Sequence, residues 1–406
     1  MKQAWPFLRR SLQPARRAYL EARLGRLDSA QNPGRGAPMI AGFLSAPMGI
    51  GAAASLIHSA FRQVNITPSS FDLTPIYQPE RSVLPWPPVP EPEDDGTGPV
   101  IVHVNAPESI HALSAIGAER LRGRLLIGFW AWELPQIPKS WIAPAARYHE
   151  IWVPSHFTAD ALRPALGGKV KVAGYPLSPA NLSPELPRRL RERVLPDPDK
   201  GLLVLAAGDA LSSIERKNPI GAIRAFRTAF KDREDCRMIV KTSGLSRASA
   251  AIRRRFDAEC ASDPRIRIFD DPLPQDEFDA LFAAADVFVS LHRSEGFGLS
   301  IARALLAGTP ALVTGWSGNA DFSDLPGVTE VGFELVPPRS DQPQYNLPGA
   351  VWADPDEAAA AEQLSKMTVP DAARRSAIAA AAEERVSPEK WVAGLSPAFH
   401  AVCETQ

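Results

Sequence analysis

The chain has 406 residues, 45% of them hydrophobic, and 45 Lys and Arg against 46 Asp and Glu leave a net charge of −1. Such a length accommodates two or three domains with sizeable cores, and the even charge balance excludes a nucleic-acid binder that works by neutralising phosphates. No stretch nears the ~18–20 consecutive apolar residues of a membrane-spanning helix, the N-terminus lacks the layout of a secretory signal, and three cysteines (Cys236, Cys260, Cys403) fit a reducing cytoplasm and exclude a disulfide scaffold or a Cys-based zinc site.

Residues 1–27 carry seven basic side chains, Lys2, Arg9, Arg10, Arg16, Arg17, Arg23 and Arg26, against the single acid Glu21. Pro14 suits a first helical turn, and Leu20, Leu24 and Leu27 share one stripe. Residues 14–27 therefore read as a basic helix for an anionic membrane surface, as a helix covering the main body, or as a solvated tail. With the linker "SAQNPGRGA" (29–37) they make up an N-terminal extension, 1–37. From 38 to 180, strand patterns "PMIAGFLSA" (38–46), "PVIVHVNAP" (99–107), "RLLIGFWAW" (124–132), "YHEIWVPS" (148–155) and "KVKVAGYPL" (169–177) alternate with helical ones. This alternation predicts βαβ units and a parallel sheet. Residues 181–200, with Pro184, Pro187, Pro196 and Pro198, read as an interdomain connection. A second alternation fills 201–385: strands at 201–208, 236–243, 265–271, 285–292 and 309–315, helices near 218–231, 247–261, 275–284 and 298–308. Residues 386–406 read as a C-terminal helix crossing back to the first domain. Forty prolines, about twice the usual ~5%, stiffen the loops between these elements. The predicted fold class is α/β, with two Rossmann-like parallel-sheet domains facing across a cleft and ligands at the carboxyl ends of the strands.

The most informative stretch is "HRSEGFGLSIARALLAG" (292–308). A buried strand ends at Leu291, a loop with Glu295, Gly296, Phe297 and Gly298 follows, and a helix begins near Leu299. Free N–H groups at that helix start, next to glycines that admit close backbone approach, form a seat for phosphate. A carboxylate at Glu295 can accept hydrogen bonds from sugar hydroxyls. Spacing alone equally allows a strand–helix connection with Glu295 as a capping charge.

The segment resembles the signature of the family-4 retaining glycosyltransferases, whose E-x(7)-E motif begins "EGFG" and runs into such a helix. "PALVTGWSGNADF" (310–322), with Ser317 and Asn319, resembles that family's donor-binding loop. "SSIERKNPIGAIRAF" (212–226) resembles the segment where a basic residue meets the donor pyrophosphate. "GFWAWELPQIP" (128–138) and "EIWVPSHFTADAL" (150–162) resemble a bacterial polysaccharide subgroup. The resemblance implies a GT-B fold and a metal-independent, retaining hexosyltransferase. Such an enzyme takes a nucleotide-sugar donor and a saccharide or lipid-linked acceptor in polysaccharide or glycolipid synthesis, with no cofactor, in the cytoplasm or at the cytoplasmic membrane face. It implies that Glu295 contacts the donor sugar, that the backbone of Gly296–Leu299 holds the phosphates or sugar, and that Lys217, with Arg216 or Lys241, neutralises the leaving diphosphate. The second Glu of the motif falls at Arg303, which has only donors; its expected role is a contact reaching back to a phosphate or the nucleotide. A non-catalytic nucleotide-sugar-binding protein and a nucleotide-sugar epimerase of the same architecture are the alternatives.

His103, at the end of the strand "PVIVHVN", is expected near the donor sugar or acceptor, with a core histidine as the alternative. Indoles stack on sugar faces, so Trp130 and Trp132 beside Glu133 suggest a carboxylate that orients an acceptor hydroxyl; Trp130 also fits the core. "GIGAAA" (49–54), with Asp72 beyond it, matches the layout of a dinucleotide fingerprint. A glycine loop at Gly51 also suits the donor phosphates. The D-x-D strings Asp197–Asp199 and Asp354–Asp356 each enclose a proline and read as turns, and no cluster has metal-ligand spacing.

Overall fold

The computed structural model describes residues 18–22, 24–25, 33–46, 49–77, 93–209, 212–260, 263–340 and 342–403. Two compact units divide these: one from Met1–Ala131, Ile137–Pro176 and Pro388–Gln406, the other from Trp132–Gln136 and Leu177–Ser387. Residues 18–22 are helical, but all seven basic side chains of residues 1–27, including the four on the predicted helix 14–27, lie outside the described residues. Among the described residues, no helix is long and apolar enough to cross a membrane.

The first unit is built on β1 (Met39–Gly42), β2 (Ser69–Asp72), β3 (Val100–His103), β4 (Leu126–Phe129), β5 (Glu150–Val153) and β6 (Val170–Val172). They form one parallel sheet in the order β2-β1-β3-β4-β5-β6. β1, β3, β4 and β5 are buried along their whole length, as expected for strands covered on both faces. The helix Gly49–Gln63 follows β1 and buries Ala53, Ala54, Ile57, Ala60 and Phe61, a 3–4 spacing that lays one stripe against the unit's core. β2 is short and largely polar, which hid it in the sequence.

The second unit carries β7 (Leu203–Asp209), β8 (Arg237–Ser243), β9 (Ile266–Phe269), β10 (Val287–Ser290), β11 (Ala311–Thr314) and β12 (Val328–Val331), all parallel, in the order β12-β11-β10-β7-β8-β9. An antiparallel pair, β13 (Phe333–Val336) and β14 (Trp352–Pro355), stands beside them. The core gathers Val204, Met238, Val240, Val289 and Leu312 from one face of the sheet with Ile223 and Phe226 from the helix Pro219–Ala229. The segment 181–200, expected to be a connection, belongs to this unit and holds the helix Glu185–Val194. Its Arg191 donates to buried Asp286 (2.8 Å), Ala284 O (2.8 Å) and Gly201 O (2.9 Å). Arg375 donates to the other Asp286 oxygen at 3.0 Å. A composition rich in proline resembled a linker, but the two arginines on one buried carboxylate dock the helix to the amino end of β10.

Candidate functional site

β7 and β10 are neighbours at the point where the strand order of the second sheet reverses, the place where open α/β sheets bind ligands. The turn after β7 contains two non-glycine residues with positive φ, Ser213 (64°) and Asn218 (47°). Such conformations cost about 1–3 kcal/mol each and persist where surrounding bonds hold them. Asn218 is held: its Oδ1 accepts from Gly221 N (3.3 Å), capping the helix Pro219–Ala229, and its Nδ2 donates to Leu291 O at 2.8 Å. Between the two strained residues, the single turn Ile214–Lys217 presents Arg216 and Lys217.

Arg216 is buried and donates to the carbonyls of Ser294 (2.7 Å) and Ser212 (3.3 Å). Its guanidinium stands 3.5 Å from Glu295 Oε2 and 3.7 Å from Glu133 Oε1. Lys217 Nζ pairs with Glu295 Oε1. Burial opposes ionisation of Glu295, but Lys217 and Arg216 overcome it and hold the carboxyl at about 2. Burial likewise opposes the charge on Arg216, and Tyr345, Glu133 and Glu295 more than compensate, so its pKa is raised. Both groups are thus ionised at neutral pH.

The loop after β10 is fixed by the segment after β11. Glu295 N donates to Ser317 Oγ (2.8 Å) and Gly318 N to Glu295 O (2.8 Å). A Cβ on Gly318 would lie 2.3 Å from Gly296 O, so only glycine fits there. Asn319 Nδ2 donates to Thr314 O (2.8 Å), and its Oδ1 meets His292 Nε2 at 2.7 Å. Ser317 and Asn319 are buried and so position Glu295 through these bonds. Phe297 turns inward against Phe322, ring centroids 5.0 Å apart. Gly298, φ 95°, caps the helix Leu299–Leu306, whose first-turn amides have no intrahelical partner.

The short segment Trp132–Gln136 completes the cluster. Ser294 Oγ donates to Glu133 O, Tyr345 Oη donates to Glu133 Oε2 at 3.2 Å, and Trp132 stacks on Tyr345 with centroids 5.9 Å apart. Two carboxylates and two cations therefore share one site. Chemically, Arg216, Lys217 and the helix start can hold developing negative charge on a leaving diphosphate, while Glu295 offers acceptors for hydroxyls. Among the described residues, no group of three or more His, Cys, Asp or Glu is arranged to hold a metal.

A family model described as family 4 glycosyltransferases in conflict systems matches residues 162–395, more than half of the chain, including Arg216, Lys217 and Glu295. The chain belongs to this glycosyltransferase family. Among solved structures, a glycosyltransferase from Rickettsia africae ESF-5 is 14% identical with a TM-score of 0.60, over 89% of this chain and 96% of its own. Alr3699/HepE from Anabaena, in complex with UDP and glucose, is 13% identical with a TM-score of 0.57, over 88% and 97%. OtsA, as an apo structure, is 11% identical with a TM-score of 0.55, over 88% and 97%. At these identities the likeness is one of fold, that of the GT-B glycosyltransferases. No curated protein sequence matches the chain.

Several residues of the transferase stand elsewhere than the sequence suggested. Arg303 does not reach back to the helix start: its Nη1 donates to Asp279 Oδ1 (2.6 Å), and its guanidinium lies 5.7 Å above the Phe278 ring. The face of its helix that carries Arg303 packs on the helix Gln275–Ala284, and the nearest acid there takes the charge. Lys241 is buried at the end of β8 and donates to Thr242 O (2.6 Å) and Asp271 O (2.9 Å). Burial lowers its pKa despite Asp270, Asp271 and Asp209 nearby. His103 is buried in the first unit's core, 3.1 Å from the Tyr175 hydroxyl and 4.8 Å from the Phe129 centroid, and burial pushes its pKa down to about 4. Asn105 Oδ1 accepts from Ala131 N at 2.8 Å.

Gly51 lies inside the helix Gly49–Gln63, where a Cβ would meet the carbonyls of Phe43 and Ala46 at 2.5 Å. Close packing accounts for this glycine. Asp72, the acid of the dinucleotide layout, accepts from Leu44 N (3.0 Å), Thr74 N (2.9 Å) and Ser45 Oγ (2.5 Å), so its carboxylate is spent on its own loop. Trp130 and Trp132 are buried and present no open face to a sugar. The sequence reading missed Tyr345, which lies in the proline-bearing stretch 337–348. A solitary tyrosine in so polar a loop was the available signal.

Proposed function

We propose that the transferase uses the Arg216–Lys217–Glu295 cluster as the seat of a nucleoside-diphosphate sugar and moves the sugar, with retention and without a metal ion, to an acceptor hydroxyl. The observation that carries this reading is the pairing of two cations and Glu295 at the strand reversal of the second sheet. On binding, the diphosphate replaces Glu295 as the partner of Lys217. Glu295 is then released to the sugar hydroxyls, with the Arg216 guanidinium still beside it at 3.5 Å. Charge on the leaving group is met by fixed donors, the most effective arrangement for an electrostatically stabilised transition state. The UDP seen in the HepE complex makes UDP the first ligand to test. The acceptor is a saccharide or lipid-linked saccharide of polysaccharide or glycolipid synthesis. The description of the matched family favours a second reading, an acceptor belonging to a conflict system.

Calorimetric titration with UDP in EDTA tests the seat. Binding should persist without divalent ions, and Lys217→Ala should weaken it by about 1.5–3 kcal/mol, the scale of a charge-assisted hydrogen bond. Binding that requires a metal, or that is indifferent to Lys217, overturns the assignment. Retention is read from the anomeric proton coupling of the product by NMR.

A further inference from the structure

We infer that Tyr345 is a positioning residue of the transferase: its hydroxyl holds the Glu133 carboxylate off Arg216, so that the guanidinium is not already closely paired and is left to an anionic ligand. This rests on the diphosphate seat proposed above. Arg216 has a carboxylate on each side, at 3.5 Å (Glu295) and 3.7 Å (Glu133). Both separations exceed the ~2.7–2.9 Å of a charge-assisted hydrogen bond. Each acid is engaged by another donor: Glu295 by Lys217, Glu133 by the Tyr345 hydroxyl at 3.2 Å. The close bonds of Arg216 go to neutral carbonyls, which orient the guanidinium without cancelling its charge. Its Nε, fully buried, has no hydrogen-bond partner among the described residues.

Tyr345 is itself locked in place. Its ring stacks on Trp132 and lies 5.7 Å beneath the Arg216 guanidinium, leaving 6% of the residue exposed. Asn346 ties the turn down by accepting from Ser340 N (3.2 Å) and donating to Ser340 O (2.8 Å). Ser340 Oγ is in turn 3.0 Å from Ser213 Oγ, on the strained turn that carries Arg216. The tyrosine and the arginine are thus referenced to the same backbone. A neutral donor is what the position needs. A cation there would repel Arg216, and an apolar ring would leave Glu133 with Arg216 as its nearest donor.

The test is a double-mutant cycle read by UDP calorimetry on the full chain: wild type, Tyr345→Phe, Glu133→Gln and the double variant, with thermal melts to establish folding. Tyr345→Phe keeps the ring and removes only the hydroxyl. It should weaken UDP binding by roughly three- to tenfold and have a clearly smaller effect once Glu133 is Gln, where only its direct influence on Arg216 remains. Equal losses in both backgrounds, or none in either, overturn the inference. If the wild type does not bind UDP, the diphosphate seat fails separately, and the ligand-free protein then decides the role of Tyr345. The ¹H–¹⁵N resonance of Arg216 Nε, assigned by its loss in Arg216→Lys, should shift further in Tyr345→Phe while Glu133 is present than once Glu133 is Gln. An identical shift with and without Glu133 reduces Tyr345 to loop packing.

Discussion

Each sheet reverses its strand order once, between β1 and β3 in the first unit and between β7 and β10 in the second. At the first reversal, Asp72 is consumed by the loop after β1, Gly51 is pressed against carbonyls, and His103 is a neutral ring among Phe129 and Tyr175. At the second, Arg216, Lys217, Glu133 and Glu295 stand together. Topology therefore offers two equivalent crevices, and side-chain chemistry decides which one can hold an anion. The first is closed by groups that satisfy one another's hydrogen bonds. The second is held by ion pairs, the ones we propose a diphosphate exchanges.

The sharpest way to break this contrast is to remove the charge the second reversal depends on. Arg216→Ala leaves Glu133 and Glu295 without their shared buried cation and should destabilise the protein by about 3–5 kcal/mol in chemical denaturation, with UDP binding lost. Stability unchanged by this variant would mean the cluster is not a coupled unit. Glu295→Gln is milder on the fold and severe on turnover. It should lower kcat by about a hundredfold while UDP binds at least as well, because Lys217 no longer has a competing carboxylate; parallel loss of kcat and UDP affinity would contradict the proposed exchange.

The first reversal answers to pH. The His103 imidazole titrates near 6.5 when unfolded and near 4 when folded, so as pH falls the unfolded chain takes up the proton first. The associated stability is complete above about pH 6.5 and is lost progressively down to about 4, an upper limit near 3 kcal/mol. His103→Gln should flatten that part of the melting-temperature profile. His149 and His292, whose pKa values burial also lowers, contribute to the slope that remains. An unaltered profile would place His103 outside the core. The smallest effect is expected at Arg303: Arg303→Ala should cost about 1 kcal/mol of stability through its half-buried pair with Asp279 and leave UDP affinity untouched. A loss of UDP affinity would instead return Arg303 to the donor.

The sheets were legible because parallel strands covered on both faces read as unbroken apolar runs, as in "RMIVK" of β8 and "VFVS" of β10. β2 and β12 were not, since "SSFD" and "VTEV" carry polar and charged residues in half-exposed edge strands. Glu295 and Lys217 were legible through their family motifs, and Glu133 through its aromatic neighbours. Arg303 was misjudged because its position in the motif says nothing about the acid across the helix interface at Asp279. Tyr345 was passed over for a related reason. Its partners Trp132 and Glu133 lie more than two hundred residues earlier, and no local pattern announces a contact of that range.

That separation has a consequence for how such a chain can be recombined. The carboxylate and indole that complete the charged cluster are supplied by five residues, Trp132–Gln136, set between stretches that belong to the first unit. Exchanging the region from 177 to 387 with that of another transferase would transplant Arg216, Lys217, Glu295 and Tyr345 but leave Glu133 and Trp132 behind. Modular shuffling at the obvious boundary would thus separate partners that must change together, and a viable hybrid would have to carry a second, five-residue graft with it.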